Sequence, residues 1–568
     1  MVTIGHFTFV LHSHLPWVLN HGVWPFGTSW LNEATAETYI PLLNTINELT
    51  EQGYNPALTI GMTPVLSEML VHPKFKEGFY AFIDEKTQAA RTDQDIFASE
   101  NNENCARMAR FWEQWYTMIG ETFKNRLHED VAGAFKQLQD TGVIEIITCA
   151  ATHGYLPLLP NDFSVDAQVR MGVESYKRIY GRDPRGIWLP ECAYRPAYTW
   201  KNPVDSKAKP VARKGVEFYL AKNKLDYFFV DTHLTMGGLS QGVYTARSKP
   251  LRKAITQFSA NYKPVGASVK RYSTTPYLIH SPESIAPVAF FTRDERTGTL
   301  VWSGESGYPG DGNYLDFHKK HTPGGLRYWK VTGSKIDLGD KLEYVPEAVE
   351  SRINENSSHY KDTIKGLLQS YYNETGTPGI VVAMYDGELF GHWWFEGPRF
   401  MVQVIKLIQD DPELQLTTAS NYLDMFPPTN QISLPEGSWG QGGSHYVWLN
   451  SQTEWTWKFI TECQDKIREI ATKYSATQNP DLKRICQQLA REQLLLESSD
   501  WQFLISTWSA RDYAEARVNL HHDNVVRLYK MAISHGSGIE VPQVDWAFLE
   551  KLESDDGCFP NIDIAYWA

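Results

Sequence analysis

Two acidic residues, Glu191 and Asp386, each follow a short apolar run and have aromatic neighbours. An acid held among apolar groups is shielded from water, so it needs either a partner or a function. Two such acids at the ends of different strands are what the cleavage of a glycosidic bond requires. One attacks or stabilises the anomeric carbon, and the other protonates the leaving oxygen. For Glu191 alone, the alternative is a strand-end carboxylate in a salt bridge.

Two histidines, His12 and His14, are spaced so that they point the same way if they lie on a regular strand. A His-x-His pair can bind a metal ion when a third ligand is present, as in metal-dependent deacetylases. His153, Asp231 and His233 are candidates for that third ligand. The alternative is that the histidines bind sugar hydroxyls and orient the carboxylates. The spacing alone leaves both interpretations open.

Short apolar runs precede these polar residues through the first 390 residues. The runs are continuous rather than alternating, which is typical of strands buried on both faces. Helical stretches between several of them indicate a parallel α/β barrel, with one strand fewer than the usual eight. The carboxyl ends of such strands converge on one face, where barrel active sites form. The predicted strands are 4–11, 57–62, 144–150, 186–189, 227–230, 288–291 and 379–384.

Two segments interrupt the barrel pattern and are interpreted as insertions. Residues 73–140 are charged and helix-forming, whereas residues 200–285 are rich in Lys, Pro, Gly and Ser. After about residue 400 the pattern changes to long helical stretches. We therefore predict a catalytic domain at 1–400 and a mainly helical domain at 401–568 that contributes to the substrate site.

The composition of the 568-residue chain narrows the classes of partner. Its net charge of −13 disfavours binding to nucleic acid, whose phosphate backbone it would repel. Its 19 Trp, 29 Tyr and 26 Phe provide rings on which the C–H faces of sugars can stack. Six scattered cysteines without a CxxC pair predict neither a structural zinc nor a disulfide framework. The N-terminus lacks a signal-peptide pattern and no run is long enough to span a membrane, so a cytoplasmic location without a membrane partner is expected.

Several sequence motifs, taken in order, resemble those of glycoside hydrolase family 57, and within it those of the 1,4-α-glucan branching enzymes. The resemblance runs from about residue 3 to about residue 530. The four principal motifs are His12-Ser-His-Leu-Pro16, Thr152-His-Gly154, Trp188-Leu-Pro-Glu-Cys192 and Tyr385-Asp-Gly-Glu-Leu-Phe-Gly-His-Trp-Trp394. Further agreement lies in Trp24-Pro-Phe-Gly27, Trp302-Ser303, Gly307-Tyr-Pro-Gly-Asp311, Ser438-Trp-Gly440 and Ser498-Ser-Asp-Trp501.

This resemblance implies an incomplete (β/α)7 barrel and a retaining mechanism without metal or cofactor. It places the nucleophile at Glu191 and the general acid/base at Asp386. The implied reaction cleaves α-1,4 linkages of a glucan such as amylose, glycogen or a starch-like polymer, and transfers the chain to a 6-hydroxyl. The substrate contacts that it implies are His12, Trp30, His153, Arg293, Gly310, Trp439 and Asp500.

Further substrate-binding candidates come from the residues themselves. A branching reaction requires aromatic acceptor subsites and poor access for water, for which Trp302 and Trp448 are candidates beside Trp439. The remaining candidates from the residues are His14 and His392. The resemblance adds a tyrosine on a flexible loop near the site, for which Tyr244, on the loop after the fifth predicted strand, is the candidate. The competing functions are an α-amylase or 4-α-glucanotransferase on the same scaffold, a non-catalytic glucan-binding protein, and a metal-dependent deacetylase.

Overall fold

The computed structural model describes residues 2–237, 270–281, 283–304 and 306–568. Each of the seven predicted runs forms a strand. The strands of the described chain are β1 (Gly5–Ser13), β2 (Leu58–Met62), β3 (Ile144–Cys149), β4 (Gly186–Trp188), β5 (Tyr198–Trp200), β6 (Val211–Arg213), β7 (Tyr227–Val230), β8 (Tyr277–Ile279), β9 (Ala289–Thr292), β10 (Gly379–Asp386), β11 (Leu414–Leu416) and β12 (Gln431–Ile432).

The seven predicted strands lie side by side in the order β10–β1–β2–β3–β4–β7–β9, with every neighbouring pair parallel. The sheet continues beyond β9 through antiparallel β8 and then β12. The predicted incomplete α/β barrel is therefore confirmed. Every residue of β1 is buried, which explains why the strands appear in the sequence as continuous apolar runs.

Helices surround this sheet and make up most of the chain after β12. Those before β12 are α1 (Thr28–Ala34), α2 (Ile40–Glu51), α3 (Pro64–Leu70), α4 (Pro73–Ser99), α5 (Glu103–Glu121), α6 (Val131–Asp140), α7 (Asp162–Tyr180), α8 (Val216–Lys222), α9 (Thr232–Met236), α10 (Glu295–Trp302), α11 (Glu350–Thr375), α12 (Gly397–Gln409) and α13 (Ala419–Met425). Those after it are α14 (Glu454–Tyr474), α15 (Pro480–Leu496), α16 (Asp500–Thr507), α17 (Arg511–Gly536) and α18 (Gln543–Asp555). A π-helical turn, Thr35–Tyr39, joins α1 to α2.

The helical insertions and the helical C-terminal part of the fold prediction are also confirmed. Helices α4 and α5 pack together between β2 and β3, and α14 to α18 form the C-terminal helical part. One continuous apolar core joins β1 and β2 to the inserted helices and to α15 and α17. The boundary between the two domains at residues 400 and 401 stays a prediction. Strand β11 lies after this boundary in the chain and pairs with β1 of the barrel.

Local sequence features explain where two of the helices begin or end. Asp294 caps α10 by accepting a hydrogen bond from the Thr297 backbone, which begins the helix directly after β9. Gly181 ends α7 with a φ of 74°, a left-handed conformation that glycine adopts without a steric penalty. Within the described ranges, no helix is long and apolar enough to cross a membrane.

Candidate active site

Glu191 lies on a short 3-10 turn, Pro190–Cys192, directly after β4. Its backbone is left-handed, with φ 60° and ψ 25°, a region that few residues other than glycine adopt. The turn is held from both sides: the Cys192 amide donates to the Leu189 carbonyl at 2.8 Å, and the Trp439 amide donates to the Glu191 carbonyl at 3.0 Å. These bonds hold the backbone of the turn and therefore the direction in which the Glu191 side chain points.

The Glu191 carboxylate also has a direct side-chain partner. The Trp439 indole nitrogen donates to its Oε2 at 2.8 Å, and the Nδ1 atom of His153 lies 3.8 Å from its Oε1. Burial raises the pKa of Glu191 to about 7, while the Trp439 hydrogen bond acts in the opposite direction. Glu191 therefore changes charge near neutral pH.

Asp386 is the last residue of β10 and pairs in register with His12 on β1. Burial raises the pKa of Asp386 well above its usual range, and the negative charges of Glu388 and Glu191 raise it further. Arg293 opposes this shift. The charge of Glu191, just after β4, is thus felt by Asp386 at the end of β10.

Three histidine rings, those of His12, His14 and His153, stack on one another at or just after the ends of β1 and β3. The Nε2 atoms of His12 and His153 are 3.0 Å apart in a hydrogen bond, and the rings of His14 and His153 lie 3.9 Å apart. His12 also stacks on Trp188 at 4.6 Å, and Nδ1 of His153 bonds to the Ser499 hydroxyl at 2.9 Å. Burial lowers the pKa of both His12 and His153 well below 6.5, so these two rings are neutral at physiological pH.

Asp500, the first residue of α16, brings the C-terminal helices to this cluster. Both of its carboxylate oxygens lie about 3 Å from Nε2 of His14, at 2.9 and 3.0 Å. The other ring nitrogen of His14 bonds to the Thr63 hydroxyl at 3.1 Å. Burial raises the pKa of Asp500, but the pairing with His14 outweighs it and the net shift is downward. Asp500 is therefore ionised and holds the His14 ring in place.

Arg293 and two indoles form another part of the site. Arg293 pairs with Asp231 at 2.8 Å, and its guanidinium lies 5.9 Å from the Trp439 ring centre. The Trp302 ring lies 6.2 Å from that of Trp439, at nearly a right angle. Trp302 and Trp439 are both partly exposed, so they can offer ring surface to a ligand.

Other predicted substrate residues lie further out. Trp30 is partly exposed and packs edge-on against Tyr513 at 5.5 Å. Gly310 ends the short turn Tyr308–Gly310, where an added Cβ would approach the Gly304 carbonyl oxygen at 2.9 Å. Trp448 is buried and stacks on Tyr155 at 4.4 Å, so it supports the site from behind and offers no free ring face.

His392 belongs to a neighbouring charged cluster. Its Nδ1 atom lies 2.8 Å from a Glu37 oxygen, and Arg327 pairs with the same oxygen at 3.0 Å. Arg327 and His392 outweigh the effect of burial and lower the pKa of Glu37 to about 2. Tyr244 lies outside the described residues.

Sequence reasoning missed several residues that hold the site together. Ser499 bonds to His153, and Glu388 accepts hydrogen bonds from the Tyr39 hydroxyl and the His14 amide at 2.5 and 3.2 Å. Ser499 and Glu388 stand inside the recognised motifs, so their positions offered a signal. Tyr39 offered no such signal, because in the sequence it is one residue of a helical stretch outside the recognised motifs.

Two groups in this region have the residue types and spacing of a metal site. They are His12 with Cys149 and His153, and His14 with His153 and Asp500; in each group the potential ligand atoms lie within 4.8 Å of one another. His153 is common to both groups, and its two nitrogens already bond to His12 and Ser499. Its nitrogens would have to give up these bonds to bind an ion.

Sequence profiles of known families match most of the chain. The sequence profile described as Glycosyl hydrolase family 57 matches residues 8–435. The chain belongs to glycoside hydrolase family 57. A second profile, described as 1,4-alpha-glucan branching enzyme, C-terminal, matches residues 459–567. The family profile thus covers the barrel with both carboxylates, and the second covers the C-terminal helices except the start of α14.

Relatives within family 57 match the chain over nearly its full length. The 1,4-α-glucan branching enzyme of Thermococcus kodakarensis is 37% identical over 556 residues, which is 98% of this chain and 77% of the relative. Its crystal structure with glucose superposes with a TM-score of 0.90 at 36% identity, covering 100% of this chain and 97% of that chain.

Two further solved structures are similar to this chain. The family 57 branching enzyme of Pyrococcus horikoshii has a TM-score of 0.88 at 38% identity, covering 100% of this chain and 97% of its own. The α-amylase AmyC of Thermotoga maritima has a TM-score of 0.79 at 27% identity, covering 99% of each chain. Proteins named for different reactions thus share this architecture.

Proposed function

We propose that this chain is a retaining 1,4-α-glucan branching enzyme in which Glu191 is the nucleophile and Asp386 the general acid/base. The observation that carries the assignment is the unequal environment of the two carboxylates. Glu191 accepts a hydrogen bond from Trp439, which favours its charged form, whereas burial and then the negative charges of Glu388 and Glu191 favour the neutral form of Asp386. A retaining mechanism needs this combination of an ionised nucleophile and a protonated acid.

The first step breaks an α-1,4 bond. The Glu191 carboxylate attacks the anomeric carbon while protonated Asp386 gives its proton to the leaving oxygen. A covalent glucosyl–enzyme forms, and the part of the glucan with the free reducing end departs. His153, whose Nδ1 atom lies 3.8 Å from Glu191, is held by its bonds to His12 and Ser499, and we propose that this ring helps to position the nucleophile.

The second step transfers the chain. Asp386, now ionised, removes the proton from the 6-hydroxyl of an acceptor glucan. The oxygen of that hydroxyl attacks the anomeric carbon and displaces Glu191. Two inversions give net retention and a new α-1,6 linkage. Trp302 and Trp439 are the rings proposed to hold the acceptor.

Proton NMR of amylose incubated with the protein tests this proposal. We expect new α-1,6 signals, and we expect the first-formed linkage to keep the α configuration. A product with only shortened α-1,4 chains would remove the branching assignment. A first-formed β anomer would remove the retaining assignment.

The second candidate function is an α-amylase, and the similarity to the Thermotoga maritima α-amylase is the observation that favours it. The two functions share the first step and differ in whether water or a sugar hydroxyl attacks the intermediate. The same NMR experiment separates them, because hydrolysis releases reducing ends without forming α-1,6 linkages.

We further propose a cytoplasmic role in building an α-glucan such as glycogen. All six cysteines are buried and unpaired, which suits a reducing compartment. The acidic net charge of −13 does not repel a neutral glucan.

A further inference from the structure

Trp508 is an exposed tryptophan in an unfavourable backbone conformation. Its side chain is 66% exposed, and its φ of 60° places it in the left-handed region just after α16. Glycine is the residue that normally ends a helix in this way, because other side chains crowd the backbone there. Local stability and solubility would both favour glycine over tryptophan at this position, so an exposed indole here indicates a function.

The indole is also fixed in place by its neighbours. The Arg511 guanidinium lies 4.4 Å from the Trp508 ring centre. Arg511 is itself held by Glu515 at 2.7 Å and by the Gln452 side-chain oxygen at 3.2 Å. A ring whose position is set before binding loses little entropy when a ligand stacks on it.

Two chain segments connect the catalytic centre with Trp508. Helix α16 begins at Asp500, which binds His14, and its rise places Trp508 roughly 12 Å further along the axis. The second segment begins at Trp439, which binds Glu191, and continues to Gln452, which binds Arg511.

The two segments also touch near Trp508, at Ser506. The Ser506 hydroxyl of α16 donates to the Val447 carbonyl at 2.6 Å and accepts from the side-chain amide of Asn450 at 2.9 Å. Trp508 therefore lies at the outer end of a helix whose first residue bonds to His14, beside a segment whose first residue bonds to Glu191.

We propose that Trp508 is the aromatic platform of an outer subsite that binds the α-glucan chain at a distance from Glu191 and Asp386. The inference rests on the proposed function, since it assumes that the catalytic centre takes an α-glucan. The indole supplies a flat face for the C–H surface of a glucose unit. The neighbouring hydroxyl of Ser509, which is exposed and lies 2.8 Å from that of the partly exposed Thr507, supplies a polar partner for sugar hydroxyls. Such a subsite favours long chains over short ones.

The test is binding, measured by calorimetry or by retardation in amylose gels, in a Glu191→Gln background that prevents turnover. We expect Trp508→Gly to weaken binding of long amylose about tenfold and to leave binding of maltotriose unchanged. Glycine suits the left-handed backbone, so this variant keeps the fold. Trp508→Phe keeps a ring and should retain most of the affinity.

Val544→Ala is the matched control, because Val544 is also 66% exposed but lies on α18. It should change neither affinity. Three outcomes overturn the proposal: an unchanged amylose affinity in Trp508→Gly, equal weakening for amylose and maltotriose, or an altered oligomeric state with unchanged amylose affinity. The last result would make Trp508 a protein contact. The α-1,6 NMR experiment on the wild-type protein is independent of this contrast, so branching and the outer subsite can fail separately.

Discussion

The indole nitrogen of Trp439 donates a hydrogen bond to Glu191 across a sequence separation of 248 residues, at 2.8 Å. The same tryptophan also binds the Glu191 main-chain carbonyl and lies near Arg293 and Trp302. One side chain thus orients the proposed nucleophile, lowers the cost of its negative charge and borders the proposed acceptor surface.

Replacement of Trp439 by phenylalanine should move the acidic limb of the activity profile to higher pH. Glu191 must be ionised to attack, so activity is lost as pH falls through its pKa of about 7. Without the indole donor this pKa rises, and a hydrogen bond to a charged group corresponds to a shift of about one pH unit. The measurement is kcat/KM on amylose against pH.

Trp302→Phe is the control for this shift. Its ring adjoins Trp439, but its indole nitrogen is directed to the Met384 carbonyl at 3.4 Å rather than to a carboxylate. The acidic limb should not move in this variant. If the acidic limb of the kcat/KM profile has the same midpoint in Trp439→Phe as in the wild-type protein, the indole does not control the charge of Glu191.

Glu191→Gln and Asp386→Asn should fail in different ways. Glu191→Gln removes the nucleophile, so we expect a loss of at least about a thousandfold on every substrate. Asp386→Asn removes the acid, which matters less when the leaving group is a weak base. Glycosyl–enzyme formation from a nitrophenyl maltooligosaccharide should therefore survive in Asp386→Asn, measured as a burst of nitrophenol. Retention of more than a tenth of the wild-type rate in Glu191→Gln would rule out Glu191 as the nucleophile.

The geometry of the two carboxylates supplies an independent check. For a retaining reaction, their carboxyl groups should face each other at about 5–7 Å in a crystal structure with bound oligosaccharide. A separation beyond about 10 Å in that complex would contradict the pairing, since the nucleophile and the acid could not reach the same glycosidic bond.

Chelation should leave the activity intact. Although His153 belongs to two groups with metal-like spacing, its nitrogens are engaged by His12 and Ser499. We expect full activity after exhaustive EDTA treatment and no stoichiometric zinc by elemental analysis. Zinc at about 2.0–2.1 Å from two of the ring nitrogens in a crystal structure would instead support a metal-dependent reaction.

Tyr244→Ala should lower the ratio of branching to hydrolysis. This prediction comes from the sequence alone: the loop after β7 should overhang the catalytic face, where a ring that covers the intermediate excludes water. The measurement is new α-1,6 linkages against released reducing ends on amylose. An unchanged ratio would mean that another residue shields the intermediate or that branching is inefficient.

The sequence by itself determined the strands and the acids that follow them. A strand buried on both faces must be a continuous apolar run, and a residue at the end of a parallel strand must lie on the rim. Both are local properties, which is why β1, β4 and β10 could be predicted together with Glu191 and Asp386.

The tertiary structure alone decided which distant residues meet. His14 and Asp500 are 486 residues apart, and no local pattern relates them; their contact depends on how α16 packs against the barrel. Burial is equally non-local: Trp448 and Trp302 are alike in the sequence, yet one is covered by Tyr155 and the other borders the cleft. The charge state of Glu191 follows from the same packing, because the shielding from water that raises its pKa comes from residues folded around it.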